Sequence, residues 1–149
     1  MLAERACGLA PDDPGTWYLR AAVSAEMGDW DDVAGCCRQV VALAPDHTEA
    51  WFNLAVALAN LHRHAEAVAA FEEVLKREPG SAPACLALAS CLKKDGRPEA
   101  AIEVLGRALS VVPDDARLHA ARADALHQLG HNEAAAASYA TALRLDPAQ

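Results

Sequence analysis

Cysteine and histidine are the side chains here that could ligate a metal or act as nucleophiles, and both occur in pairs. Cys36 and Cys37 are adjacent, Cys85 and Cys91 are close enough to share one helix, His62 and His64 flank Arg63, and His127 and His131 stand four apart across Gly130. A structural zinc site needs four nitrogen or sulfur ligands, and a catalytic one needs three plus a water. No cysteine or carboxylate set completes either arrangement around these pairs, so no metal and no other cofactor is expected. The chain also has no phosphate-binding glycine loop, no G-x-S-x-G and no H-E-x-x-H, the spacings that place a nucleophile, a base or a phosphate cradle. Catalysis by this chain is therefore not expected. Five cysteines, an odd number in no framework spacing, point to a reducing cytoplasm.

The net charge of −8 excludes the usual nucleic-acid binder, which presents a basic stripe with interleaved aromatics. Between residues 12 and 32 the acids Asp12, Asp13, Glu26, Asp29, Asp31 and Asp32 face one arginine, Arg20. They read as a solvated edge that includes helix-start carboxylates. Met1–Ala10 lacks the basic head and apolar run of a secretory signal. No stretch approaches the ~20 apolar residues of a membrane span, so no membrane insertion is expected.

The elements that position these side chains follow from a period. Prolines stand at Pro11, Pro45, Pro79, Pro113 and Pro147, each 34 residues after the last. Aligned on them, column four holds Trp17, Trp51, Cys85 and His119, and column eight holds Ala21, Ala55, Ala89 and Ala123. Column fifteen holds Gly28, His62, Gly96 and Gly130; column twenty holds Val33, Ala67, Ala101 and Ala135. Column twenty-four holds Cys37, Phe71, Leu105 and Tyr139; column twenty-seven holds Val40, Val74, Ala108 and Ala142. Self-similarity at this period marks stacked helix–turn–helix repeats. The pattern resembles the tetratricopeptide repeat over essentially the whole chain. The resemblance implies an all-α, right-handed superhelical solenoid of antiparallel helix pairs that holds other proteins. The expected organisation is a single array: 1–13 as a partial repeat (the tail of a second helix and a loop), then repeats at 14–47, 48–81, 82–115 and 116–149.

Each column has a physical reason. Trp51, Leu54, Ala55, Leu58 and Leu61 fall at helical spacing on one face, and Ala67, Phe71, Val74 and Leu75 form the facing stripe. Alanine at column eight lets two backbones approach. Glycine at column fifteen suits a left-handed residue ending the first helix, and histidine tolerates that region better than most residues. Asp13, Ser81 and Asp115 follow the closing prolines as expected N-caps. Pro14 and Pro98 fall where a first-turn proline leaves no amide unpaired. Cys37 occupies a core column, which predicts a buried, inert thiol.

In this family the unpacked faces of the first helices line the inner, concave surface. The resemblance therefore implies a partner-binding groove of Tyr18, Phe52, Asn53, Val56, Leu86, Ser90, Lys93, Lys94, Arg117, Asp124 and His127, joined along the repeats by Ala22, Glu49, Asn60 and Gln128. Column five presents Tyr18, Phe52 and Leu86 in successive repeats, and Phe52 and Val56 are adjacent on one helix face. An apolar strip with a basic end (Lys93, Lys94, Arg117) fits a peptide or helical segment of a partner protein. Family members that grip acidic chaperone tails carry a Lys–Asn, Asn, Lys–Arg set; here those columns read Tyr18, Ala22, Asn53, Pro83 and Ala87, so that clamp is not expected. An asparagine ladder is not expected either, since Asn53 meets Leu19, Ala87 and Ala121 in the other repeats.

Column seven departs from pattern, with Arg20 and Arg122 around Leu54 and Leu88; these arginines are expected to snorkel their heads to water. The pattern also stops at Pro147 without a solvating helix, which predicts a partly uncovered face of Ala136, Tyr139, Ala140 and Leu143 and, through it, head-to-tail self-association. The expected function is a protein–protein interaction adaptor. The alternatives are a self-assembling scaffold and a substrate-recruiting arm of a larger enzyme.

Overall fold

A computed structural model of the chain describes residues 12–147. The first eleven residues, which hold Pro11, Cys7 and most of the expected partial repeat, lie outside the described part, as do the last two. Among the described residues there are eight helices and no strand: α1 (Pro14–Glu26), α2 (Trp30–Leu43), α3 (Thr48–Asn60), α4 (His64–Arg77), α5 (Ala82–Lys94), α6 (Pro98–Val111), α7 (Ala116–Gln128) and α8 (Asn132–Leu145). Odd-numbered helices have 13 residues and even-numbered ones 14, so each helix starts 34 residues after its counterpart.

Two kinds of helix end keep this register. After every odd-numbered helix the backbone turns through a left-handed residue, at Gly28 (φ 72°), His62 (φ 61°), Gly96 (φ 76°) and Gly130 (φ 81°). In each turn the residue after it donates back to the helix, Asp29 to the Ser24 carbonyl, Arg63 to Leu58, Arg97 to Leu92 and His131 to Leu126, at 2.8–2.9 Å. The left-handed residue donates one position later, Gly28 to Ala25 and His62 to Ala59, both at 3.1 Å. These paired bonds satisfy carbonyls that the helix end would leave open. The odd-numbered helices begin on side-chain caps. Asp13 accepts from the Gly15 amide, Ser81 from Ala84 and Asp115 from Arg117. His47 does the same work for α3 through Nδ1, at 3.1 Å from the Ala50 nitrogen.

A latch that the repeat pattern alone does not reveal closes the links before α3 and α7. The Trp51 indole Nε1–H donates to the Pro45 carbonyl at 2.8 Å. His119, at the same column two repeats later, places Nε2 2.8 Å from the Pro113 carbonyl; a carbonyl only accepts, so Nε2 carries the proton. In these two repeats column four ties the closing proline to the helix it introduces.

The chain divides into two compact units, Met1–Val74 and Leu75–Gln149. In the first, α2 packs on both α1 and α3, around Ala21, Val33, Cys36, Cys37, Val40, Leu54, Ala55, Leu58, Ala67, Phe71 and Val74. In the second, α6 packs on α5 and α7, α7 packs on α8, and α5 lies against α7. Its core holds Ala84, Cys85, Leu88, Ala89, Cys91, Leu92, Ala101, Leu105, Leu118, Ala123 and Ala135. The column-eight alanine is buried in all four repeats; a larger side chain there would hold neighbouring helices apart. Among the described residues no helix is long and apolar enough to cross a membrane.

Candidate functional site

In the first unit, α1 and α3 bring four of the expected groove residues together. The Tyr18 hydroxyl donates to Glu49 Oε2 at 3.1 Å and accepts from Asn53 Nδ2 at 3.4 Å. Its ring lies 4.9 Å from the His47 ring, so the N-cap of α3 also supports the tyrosine. Burial first, and then the hydrogen bond to Glu49, hold the Tyr18 hydroxyl protonated to higher pH than usual. Glu49, Asn53 and Val56 run along one face of α3 beside Phe52. Phe52 is half-buried and meets Phe71 edge-on, with centroids 5.7 Å apart. It is thus shared between the surface and the packing of its own repeat, and Val56 is likewise half-buried.

In the second unit Leu86, Ser90 and Lys93 form a half-buried stripe along α5 and Lys94 is exposed beside them. On α7, Arg117 bonds Asp115, the cap of its own helix, with Nη2 3.0 Å from Oδ2, while its side chain stays 57% exposed. That hydrogen bond is the main reason the Asp115 carboxyl sits below its usual range. Asp124 accepts from the Tyr139 hydroxyl of α8, and His127 Nδ1 lies 3.1 Å from Asn132 Oδ1. An expected groove residue and an expected end residue are therefore partners. Ala136, Tyr139, Ala140 and Leu143 are all exposed, Leu143 at 51%. The residues of Tyr139's column in the other repeats, Cys37, Phe71 and Leu105, are fully buried.

Arg20 corrects the expectation of a snorkelling side chain. Its guanidinium is held by Asp32 of α2, with Nη2 2.6 Å from Oδ1 and Nε 3.1 Å from Oδ2. Asp32 also accepts from Ser24 Oγ at 2.5 Å and from Cys36 Sγ at 3.7 Å. Burial would raise the Asp32 pKa, but the bonds from Ser24 and Arg20 outweigh it and lower the pKa. The pair is partly buried, and Ser24, a well-buried polar residue of the core, shares the same carboxylate. Among the described residues the cysteines Cys36, Cys37, Cys85 and Cys91 are buried thiols outside any disulfide, and burial pushes the Cys37 thiol up to about 11. Among those residues no group of three or more His, Cys, Asp or Glu could hold a metal ion.

Family models described as tetratricopeptide repeat match residues 18–82, 61–125 and 116–149. The chain belongs to the tetratricopeptide-repeat family. At that level this tetratricopeptide-repeat chain is a protein-interaction scaffold, built as an all-α solenoid of helix pairs. Among solved structures, a crystal structure of MamA is similar with a TM-score of 0.89 at 19% identity, covering 97% of this chain and 85% of that one. A MamA RS-1 ArsTM double mutant gives 0.84 at 21%, covering 96% and 80%, and MamA 41-end from Desulfovibrio magneticus RS-1 gives 0.81 at 22%, covering 93% and 78%. At these identities the likeness concerns the fold alone. No curated protein sequence matches.

Proposed function

We propose that this tetratricopeptide-repeat chain is an adaptor that holds a peptide or helical segment of a partner protein against its first-helix faces. The observation that carries the reading is the α1–α3 face. A tyrosine hydroxyl oriented by Glu49 and Asn53 stands there beside half-buried Phe52 and Val56. Oriented polar groups beside partly exposed aromatic and branched side chains are what a peptide needs: apolar anchoring, with hydrogen bonds that fix its register. The α5 stripe of Leu86, Ser90 and Lys93, with Lys94, offers a second such surface with a positive end. The buried thiols suit work in the cytoplasm.

The test is to select binding peptides from a displayed random library on the wild-type chain. Their affinities are then compared for Tyr18→Phe, Phe52→Ala and the control Arg107→Ala, which lies on α6, with its side chain 79% exposed. Phe52→Ala is expected to weaken binding about tenfold or more, about 1.4 kcal/mol, with helicity retained by circular dichroism. Tyr18→Phe should weaken it by less, and Arg107→Ala should leave it unchanged. Equal affinity for wild type and Phe52→Ala counts against the groove.

A second reading, head-to-tail self-association, is favoured by the exposed α8 face of Ala136, Tyr139, Ala140 and Leu143. Light scattering over a wide concentration range separates the two: growth in mass that Tyr139→Glu abolishes supports self-association, and a constant monomer mass rejects it.

A further inference from the structure

Helix α8 differs from the other even-numbered helices in where its charges stand. Each of the others carries charge in its middle turns: Arg38 in α2, Glu72 and Glu73 in α4, Glu103 and Arg107 in α6. In α8 the run from Ala134 to Leu143 has none, and Glu133 and Arg144 stand at its two ends. An acid in the first turn and a base in the last suit the helix dipole. Yet no other even-numbered helix has both at these columns, which read Asp31 and Ala42, Ala65 and Lys76, then Glu99 and Ser110.

The two charges and the uncharged run share one face. Ala135 and Ala142 mark the packed side of α8, each 2% exposed. On the far side Glu133, Ala136, Ala137, Ala140, Leu143 and Arg144 follow at i, i+3, i+4, i+7, i+10 and i+11, the spacing of a helix–helix seam. All six are exposed. Ala140 stands where Arg38 and Glu72 keep the surface charged in the first unit. With alanine at the centre of the stripe, another helix axis can come close. Arg144 donates to Thr141 Oγ1 at 3.2 Å within its own helix, a bond that a guanidinium with five N–H donors can keep while it meets a carboxylate.

We propose that this face is covered by α8 of a second copy of the chain, laid antiparallel about a two-fold axis level with Ser138. In that register Ala136 meets the partner's Ala140, and Glu133 meets the partner's Arg144. The symmetry makes each contact twice. Leu143, 51% exposed in the single chain, loses water on the same closure. A parallel pairing would set Glu133 against the partner's Glu133 and Arg144 against the partner's Arg144. Like charges in contact repel, so the charge pattern selects the antiparallel pair, which also opposes the two helix dipoles favourably. The arrangement takes up the α8 face of the self-association reading and closes it at two copies, where a head-to-tail contact could propagate. It uses no residue of the α1–α3 face.

The test is sedimentation equilibrium on the full chain from micromolar to millimolar concentration. A contact of three turns built mostly on alanine is small, so the expected dissociation constant is on the order of 100 µM. The mass should rise with concentration and level off at twice the chain's 15.7 kDa. Ala140→Lys gives this column a charge of the kind it carries at Arg38 and Glu72, and should leave a monomer of unchanged helicity. Glu133→Arg alone and Arg144→Glu alone should each weaken the dimer about tenfold or more by bringing like charges together. The double reversal should restore it, although that variant opposes the helix dipole at both ends; an effect through helix stability alone would deepen instead. A constant monomer mass, a dimer indifferent to Ala140→Lys or to the single reversals, or a double reversal that stays monomeric would overturn the proposal. Growth past two copies that Tyr139→Glu abolishes would overturn the two-fold pair and leave the head-to-tail reading standing, whereas a constant monomer mass removes both. Neither result bears on the peptides selected for the first-helix faces.

Discussion

Asp32→Asn removes one charge from the most heavily bonded carboxylate in the first unit. Asp32 accepts two bonds from Arg20 at 2.6 and 3.1 Å and one from Ser24 at 2.5 Å. A hydrogen bond to a charged group contributes about 1.5–3 kcal/mol, and the contributions are not additive. Asparagine keeps one acceptor oxygen, and the pair is about a quarter exposed (24% and 23%), so water screens part of the attraction. A net loss of about 2 kcal/mol follows, which for a chain of this size lowers the melting temperature by roughly 4–8 °C. The assay is thermal unfolding followed by circular dichroism at neutral pH and then through acid. Because the native Asp32 pKa is lowered, its stabilisation is complete above the ordinary value of 3.8 and disappears as the pH falls through the lower native value. The gap between wild type and Asp32→Asn should therefore hold steady near neutrality and close in strong acid. Arg20→Leu combined with Asp32→Ala, which reproduces Leu88 and Ala100 of repeat three, should recover much of the loss. Melting within about 1 °C of wild type at neutral pH, or a gap that persists unchanged in strong acid, would refute the reasoning.

Two other expectations concern the turns and links. His62 holds φ 61° where the other repeats use glycine, so His62→Gly should stabilise by about 0.5–1 kcal/mol in a urea unfolding curve, through release of left-handed strain. Trp51→Phe keeps most of the ring but removes the donor to the Pro45 carbonyl; it should cost about 1 kcal/mol by the same measurement, and no change in midpoint would remove the latch as a stabilising feature.

The repeat is legible because each column does one job four times over. The buried alanines of column eight and the left-handed turns at Gly28, His62, Gly96 and Gly130 are local demands of packing and backbone, and they recur in phase. What the sequence hides are pairings between helices. Tyr18 and Glu49 are 31 residues apart, and their bond depends on α1 lying beside α3. Asp32 reads as one of several helix-start acids, and only the packing of α2 on α1 brings it to Arg20 and Ser24. His47 escapes notice as a cap because histidine is an unusual N-cap residue, although its position before Thr48 matches Asp13, Ser81 and Asp115. The bond of Arg117 to the cap two residues before it is another pairing that the repeat pattern does not carry. The exposed α8 face is legible at Tyr139, whose column is buried in the other repeats as Cys37, Phe71 and Leu105, and not at Ala140, whose column is exposed elsewhere as Arg38 and Glu72.

Hydrogen–deuterium exchange on the full chain, with and without a peptide selected on it, tests most directly the claim that the first-helix faces hold the partner. Slowed exchange concentrated in α1 and α3, and reduced in a parallel run with Phe52→Ala, is the predicted result. Protection confined to α2, α4 or α8, with α1 and α3 unchanged, would contradict it.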